Sequence, residues 1–224
     1  MIYFNNAIYI HVPKTSGSSF EKMCEQRHGL TKKMGIHSSA IDIGLADRDK
    51  FVFGFMRHPV LSEYSNWRYH KYSWKGNDNF TFSSWCRWRF GDDPEYCNTL
   101  GLLDKHIKHG STFNLRPQAG YFCVEDGASI ANRIFRFEFD TLAKSYEEIS
   151  KITGLNCSIE GYGSMSYGWG RGKENYWDDI KDSDVEILRK AKAIDFELWE
   201  EPGEIRTNFT CPASKKYTST SHNG

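Results

Sequence analysis

Residues 7–20, AIYIHVPKTSGSSF, and residues 51–67, FVFGFMRHPVLSEYSNW, decide the fold class. Residues 7–12 form a short apolar run with β-branched and aromatic members, the pattern of a strand buried on both faces, and the run stops at Pro13. Beyond PKTSGSS, Phe20, Met23 and Cys24 recur at i, i+3 and i+4, so the loop is expected to feed straight into an amphipathic helix. Residues 51–56 repeat this layout as a second apolar strand, with Pro59 suited to the first turn of a helix that reaches about His70. Late in the chain RIFRFEF alternates as a strand does, and LAKSYEEISKITG reads as a helix closed by Gly154. Strands that alternate with helices predict an α/β fold with a mainly parallel central sheet flanked by helices.

The intervening segments are less regular. Residues 79–90 and 100–108 are expected to be helical and are rich in tryptophan and basic residues (SSWCRWRF, LDKHIKH), as suits elements that cover a sheet and shape a cleft. DSDVEILRKAKAIDFELW places Val185, Leu188, Ala191 and Ile194 near one face and predicts one closing helix capped by Asp182 or Ser183. The polar run from Gly203 to KKYTSTSHNG predicts a flexible tail over 203–224, leaving a single domain over 1–202.

Composition limits the functions open to the chain. Its 224 residues with 39% hydrophobic content suffice for one core. Lys plus Arg and Asp plus Glu each total 29, so overall charge points to neither nucleic acid nor a membrane surface, and an anion site would have to be local. The N-terminus lacks the basic and apolar regions of a signal peptide, and no long apolar span occurs, which predicts a cytoplasmic protein without stable membrane association. Six scattered cysteines without a C-x-x-C pair read as reduced thiols, and the sequons at Asn79, Asn156 and Asn208 read as chance.

In open α/β sheets ligands sit outside the carboxyl ends of the strands, where a helix N-terminus offers free N–H groups and a favourable dipole to an anion. The loop Pro13, Lys14, Thr15, Ser16, Gly17, Ser18, Ser19 fits that demand with a glycine for close approach, hydroxyl donors and a mobile cation. It differs from the G-x-x-x-x-G-K-[ST] loop of many nucleotide-binding proteins, because its lysine precedes the glycine.

IYIHVPKTSGSSF resembles the 5′-phosphosulfate loop of sulfotransferases that use 3′-phosphoadenosine 5′-phosphosulfate (PAPS), in the branch of carbohydrate and heparan sulfate 2-O-sulfotransferases. FVFGFMRHPVLSEYSNW is similar to that family's 3′-phosphate segment, a strand followed by R-[ND]-P-x-x-R-x-x-S-x-Y, which places Arg57, Pro59 and Ser65 on the motif. His58, Ser62 and Trp67 depart from it, at the Asn/Asp, second-arginine and tyrosine positions. RPQAGY at 116–121, RFEFDTL at 136–142 and the DFELW ending of the closing helix extend the likeness over about residues 7–200.

The resemblance implies a three-layer, P-loop-like fold and transfer of a sulfuryl group from PAPS to a hydroxyl, expected on a carbohydrate, with PAP as product and no metal. Pro13, Lys14, Thr15, Ser16, Gly17, Ser18 and Ser19 would hold the 5′-phosphate, Arg57 and Ser65 the 3′-phosphate, and Arg171 and Lys173 would close over the donor. Lys14 and His37 are the expected catalytic residues, since the placement of His37 in GIHSS resembles that of the branch's catalytic histidine. Glu138 and His106 stand as alternative bases, and His11 reads as a partly buried structural residue. A nucleotide-dependent kinase and a non-catalytic glycan-binding module are the rival readings.

Overall fold

The computed structural model describes residues 1–15, 17–28, 32–35, 37–73, 80–91, 116–157 and 176–211. Their fold is α/β, built on a five-stranded mixed sheet. The strands are β1 (Ile2–Tyr3), β2 (Ala7–Ile10), β3 (Lys32–Lys33), β4 (Phe51–Met56) and β5 (Arg133–Arg136), in the spatial order β3-β1-β2-β4-β5. β2 and β5 each pair in parallel with β4, while β1 pairs antiparallel with β2 and β3 at one edge. The sheet is therefore parallel where the loop-bearing strands lie and antiparallel beyond them.

The apolar runs form strands because both of their faces are covered. Side chains alternate across a sheet. Ala7, Tyr9, Phe53, Phe55 and Phe135 face a layer made by helices α1 (Gly17–His28) and α4 (Phe139–Thr153), which contribute Phe20, Met23, Leu142, Tyr146 and Ile149. Ile8, Ile10, Val52, Met56 and Ile134 face the opposite way, onto a short turn at Ala119–Phe122 and residues toward the C-terminus. Gly54 lies on that second face, where a Cβ would come 2.7 Å from the Phe122 ring, so the glycine lets the ring approach the strand closely.

A third apolar cluster joins α2 (Pro59–Ser73), α3 (Phe82–Phe90), α5 (Asp182–Ala191) and α6 (Ala193–Glu200) through Val60, Trp67, Trp85, Leu188 and Phe196. Trp67 and Trp85 belong to this core, and their indole N–H groups donate to the Phe80 carbonyl at 3.1 Å and to Glu63 at 3.2 Å. The expected single closing helix is two. Lys192 leaves helical geometry at φ −125°, ψ 40° between α5 and α6, and its buried ammonium reaches Glu63 of α2.

The packed chain also extends past the boundary expected at Gly203. Ile205, Phe209 and Cys211 are buried, Ile205 bridges Ile134 of β5, and the Cys211 N–H donates to Gly127 at 2.9 Å. Three apolar residues spaced through a polar stretch suffice to dock it onto the sheet edge, and composition averages over them. Cys24, Cys86, Cys123, Cys157 and Cys211 are free thiols. No described helix is long and apolar enough to cross a membrane.

Candidate functional site

Parallel pairing brings the carboxyl ends of β2, β4 and β5 side by side, so the segments after Ile10, Met56 and Arg136 emerge together. The first carries the loop. Pro13 and Thr15 are buried, Ser18 is exposed, and α1 begins at Gly17, so the free N–H groups of its first turn lie at the loop. Thr15 turns its hydroxyl inward to the Val12 carbonyl at 2.8 Å, which braces the loop rather than offering the hydroxyl outward. Lys14 has φ 65° and is the only described non-glycine residue with positive φ. A side chain held in that region is strained, and such strain clusters at ligand-binding segments.

The Lys14 ammonium lies 4.5 Å from the centre of the Tyr69 ring on α2. Burial, then repulsion from Arg57, pulls its pKa down to about 8, against a smaller opposing pull from Glu63. Two candidate cations from different strands are thus close enough to oppose each other's charge. Among the groups that perturb Lys14 the only acid is Glu63, and Glu63 is itself buried against Lys192 and Arg89. Burial opposes its ionisation, yet those two cations hold Glu63 below the usual carboxylate range.

Arg57 follows β4 directly, is half-buried, and lies with its guanidinium carbon 5.8 Å from the Phe137 ring. Helix α2 starts two residues later, and His58 Nδ1 accepts the Val60 N–H at 3.3 Å. An Asn or Asp at the same place could cap the helix in the same way. Burial against Trp177, Phe196 and Trp199 lowers the His58 pKa to about 4, which keeps the imidazole an acceptor. On α2 the helical repeat puts Ser62, Ser65, Asn66 and Tyr69 on one stripe, and Tyr69 lies under Lys14, so Ser65 shares the face turned to the loop.

His37 stands on the other side of β2. Its ring lies edge-on to His11 with centroids 5.1 Å apart, although the residue as a whole is exposed. Desolvation at that contact, then repulsion from His11, lowers the His37 pKa to about 4. His11 Nδ1 lies 3.0 Å from Glu21 of α1. The His11 ring also fills the space beside Gly17, where a Cβ would come within 1.8 Å of it. Glu21, His11, Gly17 and His37 therefore form one contact chain that joins the expected base to the loop.

A small pocket behind the loop is lined by Val12, Pro13, Lys14, Ser62, Glu63, Asn66, Arg116, Gln118, Tyr121 and Lys192. Sequence reading gave no role to Glu63, Gln118, Lys192 or Asp195, although RPQ and DFELW were recognised as motifs. Gln118 and Asp195 are buried, and the Asp195 carboxylate accepts the N–H groups of Gln118 and Ala119 at 2.8 Å each. Glu138 is exposed at the start of α4, next to the Phe137 that underlies Arg57.

Ser16, His106, Arg171 and Lys173 lie outside the described residues. Among the described residues no group of three or more His, Cys, Asp or Glu side chains is arranged to hold a metal ion. A scan of family models finds no match to the chain, and searches of curated proteins and of solved structures find no significant similarity.

Proposed function

We propose that this chain is a PAPS-dependent sulfotransferase that transfers a sulfuryl group to a hydroxyl, on a carbohydrate acceptor. The observation that carries this reading is the convergence of Lys14 and Arg57 at the ends of adjacent parallel strands, beside the first turn of α1, with Lys14 drawn down to about 8 by burial and by Arg57. Half-buried cations that repel each other suit an anionic ligand, and a nucleotide with phosphate at both its 5′ and 3′ positions supplies two anionic groups. The three-layer, P-loop-like architecture belongs to the same reading and is supported by the layers on the two faces of the sheet.

In this reading the first turn of α1 holds the 5′-phosphate, and Arg57 and Ser65 hold the 3′-phosphate. The acceptor oxygen attacks sulfur as the bond from sulfur to the 5′-phosphate oxygen breaks, and Lys14 stabilises the charge that develops on that leaving oxygen. His37, neutral at physiological pH, takes the acceptor proton on a ring nitrogen, with Glu138 the alternative among described residues. His11 and Glu21 fix the ring against which His37 packs.

Calorimetry with PAP, and with ATP in the presence and absence of magnesium, tests the proposal against its rivals. PAP binding without metal supports it; a preference for ATP with magnesium supports a kinase, and no nucleotide binding supports a glycan-binding module. Labelled PAPS offered with a panel of glycans, lipids and phenols identifies the acceptor, and transfer to a lipid or phenol alone would overturn the carbohydrate assignment.

A further inference from the structure

Arg57 lies just past the last rung of the sheet ladder on either side. The β2 pairing ends at Ile10 opposite Gly54, the β5 pairing ends at Met56 opposite Arg136, and Phe137 N–H takes the Met56 carbonyl. The Gln118 side chain pairs with the peptide groups of residue 57: its Oε1 accepts the Arg57 N–H at 3.0 Å, and its Nε2 donates to the Arg57 carbonyl at 2.8 Å. One carboxamide thereby reproduces the two-point pairing that a neighbouring strand would give. Its own backbone is fixed in turn by the buried Asp195 carboxylate, which accepts from Gln118 and Ala119. Near neutral pH only glutamine or asparagine carries an acceptor and a donor in that fork, and asparagine is shorter by one methylene.

We propose that Gln118 is a positioning residue for the anion site: by clamping the backbone of Arg57 it holds the guanidinium beside Lys14, so that both cations meet one bound nucleotide. The proposal rests on the sulfotransferase reading for the identity of that nucleotide. The clamp itself is a property of this chain's own contacts.

The test compares wild type with Gln118→Met, which keeps length and packing but forms neither hydrogen bond, and with Gln118→Glu, which keeps the acceptor. Melting curves restrict the comparison to folded protein. For Gln118→Met, PAP affinity should fall by about tenfold, as loss of two hydrogen bonds predicts, while adenosine 5′-phosphosulfate, which lacks the 3′-phosphate, loses much less. Gln118→Glu should bind poorly near neutral pH and recover relative to wild type as the pH drops and its carboxyl becomes a donor to the Arg57 carbonyl. A purely structural role would weaken both nucleotides alike.

A ligand-free measurement separates failure of the clamp from failure of the functional reading. The Lys14 side chain, followed by NMR in lysine-labelled protein, should titrate near 8 in wild type and at higher pH in Gln118→Met, because Arg57 is then free to move away. If wild type binds no PAP, the sulfotransferase reading falls and this titration alone decides the clamp. An unchanged Lys14 titration, or an unchanged PAP affinity in a wild type that does bind it, would overturn the proposal.

Discussion

Gly17→Ala tests the loop through a contact that backbone conformation does not explain. Gly17 is not among the glycines with positive φ, so its backbone suits alanine, and the objection to a side chain is steric. A Cβ there would sit 1.8 Å from Cδ2 and 2.1 Å from Nε2 of His11. Carbon atoms normally approach to about 3.5–4.0 Å, so the imidazole or the start of α1 must retreat by roughly 1.5–2 Å. His11 is buried and tied to Glu21 at 3.0 Å, and such a movement breaks that contact. Overpacking of this kind costs about 1–3 kcal/mol, and loss of a hydrogen bond to a carboxylate about 1.5–3 kcal/mol. Together they should lower the melting temperature by about ten degrees in a chain of this size. Urea titration of wild type, Gly17→Ala, His11→Ala and the double variant closes the cycle. In the His11→Ala background the methyl group finds space, and adding Gly17→Ala should cost less than about 1 kcal/mol. A full penalty that persists without the imidazole, or no penalty in its presence, would refute the steric account of Gly17.

The remaining expectations concern the charged groups. With a pKa near 8 in the free protein, Lys14 is protonated below that pH, and a bound anion raises its pKa; PAP affinity measured calorimetrically should be flat below about pH 8 and fall with increasing pH above it. The same limb should vanish in Lys14→Met, and a limb that survives there assigns it to another group. Stability responds with the opposite sign, because the unfolded lysine binds more protons between about 8 and 10.5, so folding gains as pH rises through that window. Arg57→Ala should weaken PAP by about 1.5–3 kcal/mol and adenosine 5′-phosphosulfate by much less, and equal losses would remove Arg57 from the 3′-phosphate. His37→Ala should lower turnover by roughly 10²- to 10⁴-fold with PAP affinity nearly unchanged. The acid limb of the wild-type rate should fall near pH 4 rather than in the usual histidine range, and a variant with near-normal turnover would move the role to Glu138.

Strands and loops were legible where local chemistry dictates them. The runs at 7–12 and 51–56 are apolar on both faces because layers cover both faces, and Pro13 and Pro59 punctuate them. Lys14 and Arg57 could be picked out because Arg57 directly follows a strand and Lys14 lies in the short loop after one. What the sequence did not disclose are partners that meet through tertiary packing. Glu63 with Lys192, Gln118 with Arg57 and His11 with Glu21 are separated by 129, 61 and 10 residues, and no periodicity encodes the first two pairs. The break at Lys192 was hidden for the same reason, since it falls at a helix-compatible residue whose ammonium meets a carboxylate on another helix.

Three side chains depart from the motif that the sequence resembles, and the structure shows what each does instead. His58 replaces an Asn or Asp and caps α2 through Nδ1, and Trp67 replaces a tyrosine and anchors to the Phe80 carbonyl as part of the core. Ser62 replaces an arginine at a buried position that lines the pocket with Lys14, Arg116 and Lys192. A guanidinium there would add a buried positive charge near Lys14, whose pKa burial and Arg57 already depress, with Glu63 already engaged by Lys192 and Arg89. An uncompensated buried charge is strongly destabilising, whereas a serine hydroxyl can donate to an anion at little cost in its absence.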